Sequence, residues 1–156
     1  MKKFYIYTYI TIIMIIALAS TGSAEDAKRT AKIIAIDGIV EVRPVGRTWV
    51  AAEVGMELNE GDVIKTAADS TAVLNLNGEG ETATVDISEG SQLKIPELTG
   101  DKEKGTQKTL LDLAIGKILI RAQKLHSEEE RFEVKTPTTI VGVRGTTFAV
   151  EVEALE

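Results

Sequence analysis

Few side chains in this chain are suited to chemistry, and their spacing does not assemble a reaction centre. The one histidine, His126, stands beside Ser127 and the glutamates 128–130. A lone imidazole lacks the partners that a metal site or a nucleophilic triad requires, so His126 reads as a solvated turn residue. Cysteine is absent. That removes disulfides, thiolate metal sites and thiol nucleophiles, together with lipid attachment at a processed N-terminal cysteine. Carboxylates are abundant, but nothing selects two of them for the shared cleft a glycosidase needs. The glycine-rich run Asn77-Gly78-Glu79-Gly80-Glu81 does not end in Gly-Lys-Ser/Thr, and Glu79 and Glu81 would repel a phosphate. Its acids do not follow the alternate spacing of a calcium loop, so it reads as a hairpin tip. The mixed charges of Asp101–Lys104 read as a solvated loop. No catalytic residue, cofactor or metal is expected, and the chain reads as a non-enzyme.

Two positions carry sharper signals. Trp49, the only tryptophan, reads as an anchor packed over one end of the core rather than as a platform for a ligand. Arg144-Gly145-Thr146 interrupts an apolar run. Arg144 could offer a bidentate contact to a partner's carboxylate. The favoured reading is structural: Gly145 permits a corner, and Arg144 satisfies buried carbonyls or a core carboxylate, because an arginine between apolar strand residues is costly unless paired internally.

The elements that must position these residues are strands. In Arg131–Thr136 Phe132 and Val134 share one face, and from Thr146 onward Phe148, Val150 and Val152 do the same. Between them Thr139–Arg144 is apolar on both faces, which suggests a strand covered on both sides or one ending in a corner. Pro137 and Gly145 are expected at corners, with Phe132, Ile140, Phe148 and Val150 in the core. Upstream, Lys32–Ile36 and Ile39–Arg43 flank Asp37-Gly38, which predicts a tight hairpin. Val50–Leu58 reads as a loop, Glu60-Gly61-Asp62 as a turn before Val63–Thr66, and Thr71–Asn77 with Thr82–Ile87 as a second hairpin. Pro96–Gln107 is the expected exposed loop. Leu110–Ile115 fits neither the helical nor the strand period, and Lys117–Leu125 reads as a strand. The sum is an all-β chain of about ten short strands, with barrel, sandwich and short β-coil all open.

The leader is a separate matter. Lys2 and Lys3 precede an apolar run from Phe4 to Ala19 and the small residues Gly22-Ser23-Ala24, the pattern of a secretory signal peptide spanning 1–24. Residues 25–30 read as a flexible lead-in and 31–153 as one β domain. The rival reading keeps the leader as an uncleaved anchor. Removing 1–24 takes away two lysines and no acids, so the formal charge moves from −6 to −8. Nucleic acid and anionic membrane surfaces are then disfavoured partners, since both need a concentrated positive surface.

In order along the chain stand Gly38-Ile39-Val40-Glu41-Val42, Trp49, Gly55, Leu58, the block Gly61-Asp62-Val63-Ile64-Lys65-Thr66, Ser70, Ala72 and Leu74. Gly116-Lys117-Ile118-Leu119-Ile120, Phe132-Glu133-Val134-Lys135-Thr136-Pro137 and 141–150, VGVRGTTFAV, follow. This series resembles the FecR domain. The motif positions are Trp49, Gly61, Asp62, Thr66, Phe132, Pro137, Arg144, Gly145, Thr146 and Phe148. The resemblance implies an all-β, non-enzymatic domain that works outside the cytoplasm through protein contacts. In signalling members a cytoplasmic anti-sigma region precedes a membrane helix. Here only three residues precede the apolar run, so a signalling role would need another chain for the cytoplasmic part.

The expectation is therefore an exported binding or scaffolding module of the periplasm or cell envelope. Its partner would be another envelope protein, with no stable membrane insertion once the leader is cleaved. The alternatives are a component of a sigma-factor regulatory system and an envelope glycan binder acting through Trp49.

Overall fold

The computed structural model describes residues 27–76, 83–101, 106–124 and 129–153. All regular structure among these residues is β: β1 Ala27–Lys28, β2 Ala31–Asp37, β3 Val40–Arg43, β4 Val50–Ala51, β5 Glu57–Leu58, β6 Val63–Thr66, β7 Thr71–Leu76, β8 Ala83–Ile87, β9 Gln92–Asp101, β10 Thr106–Arg121, β11 Arg131–Lys135, β12 Ile140–Val143 and β13 Thr147–Val152. The all-β expectation holds. The leader, the 77–82 tip and His126 lie outside the described residues.

Four passages of chain cross the molecule, and each bends midway. β2 leads into β3, β6 into β7 and β8 into β9, while β10 makes the crossing alone. On one side of the bend β3, β6, β9 and the first part of β10 pair in that order. On the other, β2, β7, β8 and the last part of β10 pair in the same order. The product is one curled sheet, a half-barrel, antiparallel except where β11 runs parallel to β10.

The bends fall at Gly38, Asp69, Gly90 and Gly116, with φ of 80°, 52°, 61° and 95°. Left-handed backbone is cheap for glycine and tolerable for aspartate, which is why these residue types stand there. A bend shared by neighbouring strands breaks the ladder, and side-chain hydroxyls replace the missing bonds. Ser70 Oγ accepts from Ile39 N at 2.9 Å, and Ser91 Oγ accepts from Lys117 N at 3.0 Å. Thr66 Oγ1 donates to Ser88 O at 2.6 Å and accepts from Ser91 N at 3.0 Å. The two serine corners repeat one another. In each, a serine after a left-handed residue caps the amide that follows a glycine on the adjacent strand, and a Cβ on that glycine would collide with the serine.

This geometry corrects the Asp37-Gly38 hairpin. Gly38 does take a positive φ, but β2 and β3 do not pair; the chain leaves one half of the sheet and enters the other. A turn dipeptide dictates local dihedrals only, and pairing follows burial. Ile33 faces Leu74 across β2 and β7, and Val42 faces Ile64 across β3 and β6, all fully or nearly fully buried.

A second correction concerns Pro96–Gln107. β9 continues to Asp101 with Leu98 fully buried, and β10 starts at Thr106. Pro96 is tolerated because two residues of β9, Ile95 and Pro96, stand opposite the single residue Leu111, so its missing N–H falls in a bulge. A further register shift between Leu113 and Ile115, followed by Gly116, changes the phase of β10. Leu111 and Leu113 point inward before it, Ile118 and Ile120 after it. That phase change is why Leu110–Ile115 matched neither period.

The core is aliphatic: Ile33, Leu74, Leu76, Ile87, Leu93, Ile95, Leu98, Leu111, Leu113 and Ile118 are fully or almost fully buried, joined by Phe132 and Val134. Each such side chain contributes roughly 1.5–3 kcal/mol by leaving water. Phe148 and Val150, expected in the core, are half-buried at its margin and pack against it. Ile140 is 59% exposed, so its placement in the core is corrected. Among the described residues β12 pairs with β11 only and stands as an edge strand, not one packed on both faces. The segment read as a flexible lead-in is held in its described part, because β1 pairs with the end of β9 and Arg29 N donates to Leu98 O at 3.1 Å. Burial pulls the Arg29 guanidinium down to about 10, and its Nη1 donates to Thr109 Oγ1 at 3.0 Å.

Candidate interaction surface

The motif residues of the Gly61–Thr66 block build turns. The Asp62 carboxylate, 5% exposed, accepts Val45 N at 2.9 Å and Asn59 N at 2.8 Å, tying the 44–47 turn to the entry of β6. Gly61, with φ of 91°, lets Val45 lie against its backbone where a Cβ would collide. Thr66 holds the corner described above. In the C-terminal block Thr136 N donates to Thr139 O at 2.8 Å and Thr136 Oγ1 accepts from Thr139 N at 3.1 Å, closing the turn that contains Pro137. Pro137 is thus a turn residue between consecutive strands, as expected. Gly145, with φ of 88°, packs on the backbone of Gln123 and Lys124 between β12 and β13. Ala122 N donates to the carbonyl of the exposed Thr146 at 3.3 Å.

Two readings change. Trp49 is half-buried and outside the core cluster. Arg43 Cζ lies 5.0 Å and Lys65 Nζ 4.7 Å from the ring centroid, so the indole packs on cations at the outer face of β3 and β6. Arg144 is exposed and makes no hydrogen bond or ion pair among the described residues, so it does not satisfy a buried carbonyl or carboxylate. The reason is the edge beside it: no described residue covers β12, and Arg144 reaches water.

Among the described residues no group of three or more His, Asp or Glu could hold a metal, and the motif positions are dispersed over turns and corners. What the fold does bring together is an unsatisfied strand edge and a cleft. β12, Ile140-Val141-Gly142-Val143, bonds only to β11 among the described residues, and Ile140 and Val141 are exposed. Natural edges are usually blunted by lysine, proline or a covering loop; this strand carries no charge and no proline. Close by, β11 leaves β10 at Asp112 and β13 joins it at Gly116, so Leu113 and Ile115 pair with β9 alone. A cleft of about 660 Å³ opens at this gap, lined by Ile115, Pro137, Thr139, Val150 and Val152 among others. Its wall is the Thr136–Thr139 turn from which β12 sets out. The sequence showed the apolar run at 139–143 but not that one edge of it lacks a neighbour.

The family model described as FecR protein matches residues 62–155. The chain belongs to the FecR family. The match starts at Asp62, so the FecR region takes in β6 Val63–Thr66, the bent passages β6 to β10 and the β12 edge, and leaves Trp49 and Gly61 upstream. FecR domains are found in sigma-factor regulatory and signal-transduction systems. Comparison with curated proteins and with solved structures returned no match.

Proposed function

We propose that this FecR-family protein is an exported, non-enzymatic module of the periplasm or cell envelope that binds another protein by strand addition at β12. The observation that carries the reading is the uncharged, unpaired β12 edge with Ile140 and Val141 exposed. Such an edge offers a row of N–H and C=O groups to an extended segment, and the adjoining cleft offers an apolar slot for its side chains. A photo-crosslinking residue at Ile140 should capture one envelope protein, and the capture should vanish when Val141→Lys is added. The same residue at Ile39, equally exposed on another part of the surface, should capture none. Equal capture from both positions, or capture that survives Val141→Lys, would refute the reading.

Family membership supports a second reading, in which the protein serves a sigma-factor regulatory system with its leader retained as an anchor and the cytoplasmic part on another chain. N-terminal sequencing of the cellular protein separates the two. A mature chain beginning at Glu25 removes the anchored version.

A further inference from the structure

We propose that the cleft between the 44–47 turn and β9 binds a small multivalent oxyanion, a ligand carrying two or more phosphate or carboxylate groups. The proposal is independent of the β12 edge and lies on a different face of the sheet's path.

The cleft measures about 460 Å³ and is lined by Arg43, Arg47, Lys94, Val45, Gly61 and Val63 among others. That volume lies within the range of roughly 300–1,000 Å³ typical of small-ligand sites. Register places its cations. Arg43 is the cross-strand partner of Val63, and Val63 is the partner of Lys94, so the three share one face in a row with the apolar residue as floor. Arg47 comes from the turn above, which Arg47 N closes on Pro44 O at 3.0 Å and Asp62 pins from below.

Among the described residues none of these cations has an acid of its own. Ion pairs elsewhere engage Lys65, Lys117, Arg121, Arg131 and Lys135. Arg43, Arg47 and Lys94 have no carboxylate within 4.0 Å among the described residues. Acids of the neighbouring framework are engaged elsewhere: Asp62 is buried with both oxygens on amides, Glu41 bonds Lys65 Nζ at 2.8 Å, and Asp112, next to Lys94 in the row, bonds Lys135 Nζ at 3.4 Å. In a chain of formal charge −6, three cations around one concavity with no acid partner among the described residues run against the overall field. Two guanidinium forks and an ammonium suit oxygens on more than one centre, because arginine binds planar oxyanions through paired N–H bonds. Trp49, stacked on Arg43, supports one fork and reports on it.

The test uses the full chain, titrated with tripolyphosphate, citrate and inorganic phosphate by calorimetry, with the emission of Trp49 followed alongside. Tripolyphosphate or citrate should bind saturably and more weakly as salt rises, and the tighter of the two names the anionic group. Arg47→Gln, on an exposed turn, should weaken binding roughly tenfold, the loss of one charge-assisted pair. Lys32→Gln removes the same charge from an exposed site elsewhere and should leave affinity unchanged. Absence of saturable binding by both polyanions, equal affinity for inorganic phosphate, or equal weakening by Lys32→Gln would overturn the assignment.

Discussion

Gly116→Ala should cost this fold more than any surface glycine. At φ of 95° the residue is left-handed, and a Cβ there would run into Ser91, including its Cα, with Ser91 Cβ at 2.6 Å. Forcing a Cβ-bearing residue into that region costs about 1–2 kcal/mol, and the clash with a fixed neighbour about 1–3 more. Moving Ser91 also disturbs its hydroxyl bonds to Lys117 N and O at 3.0 and 3.2 Å, together about 1–2 kcal/mol. Alanine recovers about 0.4–1 kcal/mol by restricting the unfolded chain. The net loss is roughly 2–6 kcal/mol, a large part of the 5–15 kcal/mol typical of a domain. With a urea slope of about 1–3 kcal/mol/M, the midpoint should fall by on the order of 2 M. Urea unfolding followed by far-ultraviolet circular dichroism reads this directly. Gly55→Ala supplies the control, because its φ is 93° but a Cβ there meets nothing within 4 Å, and it should lose only the backbone part, about 1 kcal/mol. Equal midpoints for the two variants would refute the close approach at the corner, and a wild-type midpoint for Gly116→Ala would refute the whole account.

Gly145→Val should lower the melting temperature by several degrees, since its Cβ would lie 2.8 Å from Gln123 O and closer still to Lys124 Cα; an unchanged melting curve sinks that corner. Asp62→Ala leaves the amides of Val45 and Asn59 without their acceptor and should destabilise by about 2–4 kcal/mol in urea, with faster proteolysis within the 44–47 turn than in wild type. Phe132→Ala should cost about 3–5 kcal/mol, while Ile140→Lys, at a site 59% exposed, should stay within about 0.5 kcal/mol. A large loss from Ile140→Lys in the isolated chain would mean that the β12 edge is covered.

Alternation alone set out much of the sheet. Phe132 and Val134, Phe148 and Val150, and the β7 to β8 hairpin all stand as their spacing required, because a strand's inward face repeats every second residue whatever lies beside it. Glycine marked the corner at Gly145, and the positive φ though not the pairing at Gly38, for a similarly local reason. Period reading failed where it met a bulge: Pro96 and Leu110–Ile115 look like loop and ambiguity until the extra residues are seen opposite their partners. The corner serines were visible only as the repeated pairing of a turn residue with serine in Asp69-Ser70 and Gly90-Ser91, and their bonds to Ile39 and Lys117 span 31 and 26 residues.

By itself, the sequence determined the fold class, the faces of the strands and the family. Tertiary structure alone decided that Asp37-Gly38 joins two halves of a sheet, that Trp49 packs on Arg43 and Lys65, that Arg43 and Lys94 share a row, and that β12 has no outer neighbour among the described residues. The physical reason is common to all four. Dihedral preference and side-chain period are properties of consecutive residues, whereas pairing, exposure and the meeting of charges depend on which distant strand lies alongside.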